Sequence, residues 1–227
     1  IGKMKRRPLP PRGHEEERLL AAAWANADHA ETDALFLRLL RESQPGELAD
    51  RRVLALGGWP GPLPIGFLKA WPKARCDLVE PTPARLESLT ASLAALPGVA
   101  RRCRLLPGDP ATADLAPGAH DLVLSAGLLH RLADPLDLWH TLQRVAQPGA
   151  PLLGMDLMRP PSPVWLESLV ATYGADLPAS LQGDFRAALW AAYEPAEIRE
   201  QLDAVGLPDL EVMVVSDRHL AVGRFPV

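Results

Sequence analysis

An α/β architecture built on βαβ units follows from three features of this chain. Val53 to Leu56 is a short apolar run of buried-strand type, followed by a glycine turn from Gly57 to Gly61 and an apolar helical face from Pro64 to Trp71. Leu78 to Glu80 then supplies a second strand that ends in an acid, and further apolar runs at Arg104 to Leu106, Leu122 to Leu124 and Pro151 to Met155 alternate with helical stretches. In a βαβ unit the glycines let backbone approach a ligand, and a carboxylate at the tip of the second strand can accept both hydroxyls of a ribose. A nucleotide-like ligand is the expectation.

The remaining elements read as follows. Ile1 to Lys3 precede Met4 and look like a cloning remnant, which puts the native start at Met4. Met4 to Gly13, rich in proline and basic residues, is an arm ordered by packing. Helices are expected over Glu15 to Asn26 and Thr32 to Arg41, the second opened by Asp28 or Glu31. Pro81 to Leu96 carries Leu86, Leu89, Leu93 and Leu96 on one side of a helix that stops at Pro97-Gly98. Asp134-Pro135 opens a helix through Val145. Between Pro161 and Pro195 two more are expected, about Val164 to Tyr173 and Leu177 to Ala192. Glu194-Pro-Ala-Glu-Ile starts the last, which Gly206 ends, and Leu210 to Val215 with Arg218 to Val222 form a hairpin about Ser216-Asp217.

With 227 residues, 48% of them hydrophobic, the chain fits one well-buried domain with an appended helical cap. A net charge of −4, with no basic stripe beyond Lys3 to Arg7, argues against a nucleic-acid surface and for small-molecule chemistry. The lack of a spanning apolar run or a leader pattern predicts no membrane partner and a cytoplasmic protein. Cys76 and Cys103 are expected as reduced thiols on neighbouring strands, not as a disulfide or a metal site, and no Cys/His cluster with metal spacing occurs. Heavy use of Ala, Pro and Arg suggests a high-GC bacterial source.

The order Gly108-Asp109, Asp121-Leu-Val-Leu-Ser-Ala-Gly-Leu-Leu-His130, Val145-Ala-Gln-Pro-Gly149 and Pro151 to Asp156 resembles class I S-adenosylmethionine-dependent methyltransferases, from about Leu48 onward. Within them the chain is similar to bacterial small-molecule enzymes with Asp-Leu-x-Arg-Pro, here Asp156 to Pro160, and a terminal Val-Ser-Asp-Arg-His-Leu, here Val215 to Leu220. The resemblance implies a Rossmann-like fold: a seven-stranded, mostly parallel sheet with an antiparallel C-terminal hairpin and a helical cap. It divides the chain into arm and cap helices over 1–47 and a cofactor-binding domain over 48–227, with a helical insertion at about 161–195. It also implies S-adenosylmethionine as cofactor, held by Gly57, Gly58, Trp59, Gly61, Glu80, Pro81, Gly108, Asp109, Ser125 and Ala126.

The family loop D-L-G-x-G-x-G reads Ala55-Leu-Gly57-Gly58-Trp59-Pro-Gly61 here. Losing one charge-assisted hydrogen bond at Ala55 costs roughly 1.5–3 kcal/mol, so binding is weakened without being abolished. Trp59 either walls the pocket as a cation–π partner of the sulfonium or fills it. The resemblance further places helices before the first strand over the acceptor pocket. This makes Trp24, Asp28 and His29 candidate pocket residues, beside the bland reading of packing, cap and turn. In the insertion, Trp165, Tyr173, Asp184, Arg186 and Trp190 are lid candidates beside a reading as cap packing, and Tyr173 and Arg186 carry the functional reading. His130 is a candidate general base, although Arg131 replaces the family's second histidine and Ala126 its asparagine; Tyr173 is the other catalytic candidate. The Arg218-His219 pair reads as structural.

The function so implied is methyl transfer to a small molecule, as in natural-product pathways, with a homodimer left open. Cyclisation of S-adenosylmethionine itself to azetidine-2-carboxylate, releasing methylthioadenosine, is the first alternative. A non-catalytic partner subunit is the second.

Overall fold

A computed structural model describes residues 4–44, 46, 48–57 and 63–224. Seven strands form one sheet: β1 (Arg52–Leu56), β2 (Arg75–Glu80), β3 (Cys103–Pro107), β4 (Leu122–Ala126), β5 (Leu152–Leu157), β6 (Glu211–Val214) and β7 (His219–Gly223). Their order is β3-β2-β1-β4-β5-β7-β6. The first five pair in parallel, and β7 runs antiparallel to both β5 and β6, so the expected edge hairpin is present.

The nine helices among the described residues are α1 (His14–Ala25), α2 (Ala30–Ser43), α3 (Leu63–Ala70), α4 (Pro83–Ala94), α5 (Pro97–Ala100), α6 (Leu136–Val145), α7 (Pro163–Tyr173), α8 (Ala179–Ala191) and α9 (Pro195–Ala204). α4 ends at Ala94, short of Pro97-Gly98, as expected, and Pro97 then opens a separate single-turn helix, α5, because a proline fits the first turn of a helix without losing a bond. Glu194 and Glu197 close a reciprocal capping box at the start of α9. No described helix is long and apolar enough to cross a membrane.

Strand alternation splits the core into two layers. Val53, Leu122, Leu124 and Leu153 pack with Phe36 and Phe67 of α2 and α3 on one face. Leu54, Leu56 and Val123 pack with Trp139 and Ile198 of α6 and α9 on the other. Burial on both faces is what a central parallel strand needs, and it explains runs without polar alternation. A third cluster lies in the cap: Met4, Leu20, Trp24, Leu166, Leu181, Phe185 and Leu189 join the arm, α1, α7 and α8. Cys76 and Cys103 are register partners on β2 and β3; both are free, with Sγ atoms 3.8 Å apart.

Candidate active site

The chain reverses its winding at β1, which lies between β2 and β4, and the carboxyl ends of these strands border the crevice where open α/β sheets bind ligands. Gly57 leaves β1 at φ +69°, its amide donating to the Val79 carbonyl at 2.8 Å. A Cβ there would stand 3.1 Å from Leu128 Cβ and 3.2 Å from the Ala126 carbonyl oxygen, so both the dihedral and the close approach require glycine. Gly58, Trp59 and Gly61 lie outside the described residues.

At the tip of β2, Glu80 is 3% exposed and pairs in register with Pro107 of β3. Its Oε1 accepts from the Thr82 amide at 2.9 Å, across the half-buried Pro81. Burial pushes the Glu80 carboxyl up, against the pull of the Arg85 and Arg131 guanidiniums. Gly108 follows β3 at φ +121°, with open space where a Cβ would stand. Asp109 is exposed, and its carbonyl accepts from Ala113 at 2.8 Å in a turn. Ser125 and Ala126 end β4, both buried.

Beyond them, a 3-10 turn at Leu129–Arg131 carries His130, 3% exposed. Its Nδ1 lies 2.5 Å from Oδ1 of Asp156, which is 7% exposed on β5. The Leu129 and Leu157 amides also donate to that carboxylate, at 2.7 and 2.8 Å. With two amides and one ring to receive, Asp156 acts as acceptor and the proton of the pair sits on Nδ1. Nε2 of His130, buried, has no hydrogen-bond partner among the described residues.

A cavity of about 700 Å³ opens against this pair, between the carboxyl ends of β4 and β5 and the cap. It brings together Trp24, Asp28, His29, Ala126, His130 and Tyr173 of the expected residues. His29 donates from Nε2 to the Trp24 carbonyl at 2.7 Å, and Asp28 accepts from the Ala30 amide at 2.9 Å. The Tyr173 hydroxyl donates to Asp217 at 2.6 Å, which pushes its pKa up, and the Arg218 guanidinium lies 3.4 Å from its ring centroid. Arg186 is not brought to the cavity: it holds Glu167 at 2.8 Å on the exposed side of the cap.

Sequence reasoning missed several groups that line the same cavity. His219 stands beside Leu157 across the β5–β7 pairing, its Nδ1 2.9 Å from the Ser216 hydroxyl; burial, helped by Arg218, pushes it down to about 4. Asp184, considered only as a lid or packing residue, is 3% exposed. It accepts from Arg12 and from the Trp24 indole, both at 2.6 Å, and lies 3.6 Å from Arg131. No separation in sequence signals these meetings; only the terminal Val-Ser-Asp-Arg-His-Leu motif pointed toward Arg218 and His219. The arm closes over the same region, with Arg6 donating to the carbonyls of Ala191 at 2.6 Å and His130 at 3.5 Å. Among the described residues no group of three or more His, Cys, Asp or Glu side chains is placed to hold a metal ion.

No protein-family model matches the sequence, and no curated protein does. Solved structures do. A SAM-dependent methyltransferase from Aquifex aeolicus superposes with a TM-score of 0.63 at 18% identity, over 96% of this chain and 100% of that one. The O-methyltransferase family 2 protein from Planctomyces limnophilus, in complex with apigenin, gives 0.61 at 21% identity, over 95% of this chain and 62% of the other. Phosphoethanolamine N-methyltransferase 2 from Haemonchus contortus, in complex with S-adenosyl-L-methionine, gives 0.62 at 16% identity, over 87% and 43%. At such identities the likeness is one of fold, and the chain spans less than two thirds of the length of the last two proteins. Strand order, hairpin and superposition together give this chain the Rossmann-like fold of class I S-adenosylmethionine-dependent methyltransferases.

Proposed function

We propose that this chain is an enzyme that uses S-adenosylmethionine to methylate a small molecule, with His130 as the base that takes the acceptor's proton. The observation that carries this reading is the buried His130–Asp156 pair, whose Nε2 is left without a partner beside a 700 Å³ cavity at the carboxyl ends of the sheet. Such a volume lies within the usual range for small-molecule sites, roughly 300–1,000 Å³. One of the similar structures is a complex with apigenin and another a complex with S-adenosyl-L-methionine, in line with this reading.

The residues around the crevice fit the cofactor. Glu80 offers a carboxylate whose burial is costly without donors, which two ribose hydroxyls would supply. Gly108 leaves open space beside it. Gly57, Pro81, Asp109, Ser125 and Ala126 would complete the described part of the site, and the proposal extends to Gly58, Trp59 and Gly61.

Bound there, S-adenosylmethionine supplies an activated methyl group. What the chain must add is alignment, exclusion of water and a proton acceptor. Asp156 accepts the hydrogen bond from Nδ1–H and so favours the tautomer with the lone pair on Nε2. A hydroxyl seated against Nε2 can lose its proton there, and the adjacent carboxylate stabilises the imidazolium that results.

Incubating the protein with S-adenosylmethionine, alone and with a set of phenols and amino alcohols, tests this by mass spectrometry of the small molecules. A methylated acceptor with S-adenosylhomocysteine is the expected result. Methylthioadenosine formed without any acceptor would replace methyl transfer by cyclisation, and no calorimetric binding of S-adenosylmethionine would leave a non-catalytic partner.

A further inference from the structure

The charge around the cavity is uneven. Its exposed charged residues are Asp28, in the loop between α1 and α2, Glu31 at the start of α2, and Asp176, in the loop between α7 and α8; Asp33 lies half-buried behind them. Two guanidiniums also line it, but both are engaged. Arg131 lies 3.6 Å from Asp184, and Arg218 reaches Glu31 at 3.3 Å and Asp217 at 3.1 Å. Among the described residues, Glu31 is the one of these four acids with an ion pair, and Asp28 receives a backbone amide. The lining also includes the apolar Leu63, Met155, Leu177, Leu181 and Phe185, together with His130, whose Nε2 has no hydrogen-bond partner among the described residues.

Resting on the methyl-transfer reading above, we infer that the acceptor is a cationic amine with an apolar or aromatic body: its ammonium sits among Asp28, Asp33 and Asp176, and its hydroxyl meets Nε2 of His130. Three features converge on this chemistry. The mouth has carboxylates on both of its facing loops and no exposed cation among the described residues lining it. Most of the remaining lining surface is apolar, with its buried charges already paired, which favours a hydrocarbon or aromatic ring over a sugar or phosphate. With Nδ1–H donated to Asp156, Nε2 of His130 is an acceptor with no hydrogen-bond partner among the described residues, and it can take one donor. Asp33 is also pushed up by burial, with Asp28 adding to the effect and His29 opposing it, so an arriving cation relieves a carboxylate that is costly to ionise. A carboxylate-bearing acceptor would meet repulsion at the same mouth.

Three phenols of one shape test the inference: tyramine, 4-ethylphenol and 3-(4-hydroxyphenyl)propionate, titrated calorimetrically into the whole chain with and without S-adenosylmethionine. Tyramine is expected to bind about tenfold more tightly than 4-ethylphenol, with the propionate weakest and the order compressed by 0.5 M salt. In the Asp28→Asn, Asp33→Asn, Asp176→Asn triple variant the preference should fall to about twofold or less, with affinity for S-adenosylmethionine unchanged. Asparagine at 28 keeps the acceptor for the Ala30 amide, and the double variant at the exposed positions 28 and 176 should show a partial loss even if the triple variant folds poorly. Equal binding of the three phenols, preference for the propionate, or no binding of tyramine overturns the inference. So does a triple variant that loses S-adenosylmethionine instead of tyramine, since the acids would then serve the cofactor's own ammonium. Wild-type protein that prefers tyramine but fails to bind S-adenosylmethionine sinks the methyl-transfer reading and leaves an amine site.

Discussion

Asp156 and Asp184 border the same cavity and are buried to a similar degree, yet their surroundings differ in kind. Asp184 faces fixed donors: Arg12 from the arm, Arg131 from the turn after β4, and the Trp24 indole from α1. Burial would raise its pKa, but Arg131, the indole and Arg12 outweigh that and hold the carboxyl below its usual value. Asp156 faces two backbone amides and one titratable ring. A carboxylate surrounded by permanent cations can only clamp, whereas one bound to an imidazole can pass a change of charge to whatever touches the ring's other edge.

Replacing the second carboxylate should therefore act on rate, and replacing the first on stability. Asp156→Asn is expected to lower turnover by about 10²–10⁴-fold while S-adenosylmethionine affinity is kept, because the amide no longer fixes the tautomer that leaves Nε2 free. Single-turnover kinetics beside calorimetry would check it. Asp184→Ala removes the carboxylate that lies nearest to the buried Arg12, leaving Glu16 and Glu17 at 3.5 and 3.9 Å, and also takes a carboxylate from Arg131, and should cost about 3–5 kcal/mol in urea unfolding.

A smaller effect belongs to His219, whose folded-state pKa is pushed down to about 4 from 6.5. Between those values the unfolded chain binds the extra proton, so the native state gains stability as pH rises through the window and loses it as pH falls. The full difference is about 3 kcal/mol, and His219→Gln should flatten the urea midpoint between pH 4 and 6.5. Smallest of all, Arg186→Ala removes an exposed pair with Glu167 and should change stability by no more than about 0.5 kcal/mol and leave turnover untouched. An effect of Arg186 on acceptor binding would mean that the cap closes further than this structure has it.

The parallel strands could be read from the sequence because central strands have no polar face: Val53 to Leu56 and Leu122 to Leu124 must be apolar on both sides. The hairpin could be read from Ser216-Asp217 between two apolar runs. Helix starts were less legible. α2 begins at Ala30, two residues before the expected Thr32, where the Asp28 carboxylate receives the Ala30 amide. In the site, His130 was foreseeable because strand order puts the end of β4 at the crevice. His219 was not, since its place depends on β7 folding back along β5, which makes a residue near the chain's end a neighbour of Leu157. Arg186 and Asp184 lie two positions apart on α8 and cannot be told apart by composition; the helical turn sends Asp184 inward to 3% exposure and Arg186 outward.

The arm has a bearing on how the molecule is assembled. Arg6 meets Ala191 and His130, Arg7 donates its amide to the Trp190 carbonyl, and Arg12 meets Asp184, at separations of 124 to 185 residues. None of those partners exists as a surface until β4 and α8 are in place. Residues made well before β4 and α8 are thus among the last to dock, and Met4, buried in the finished cap, waits in water until then.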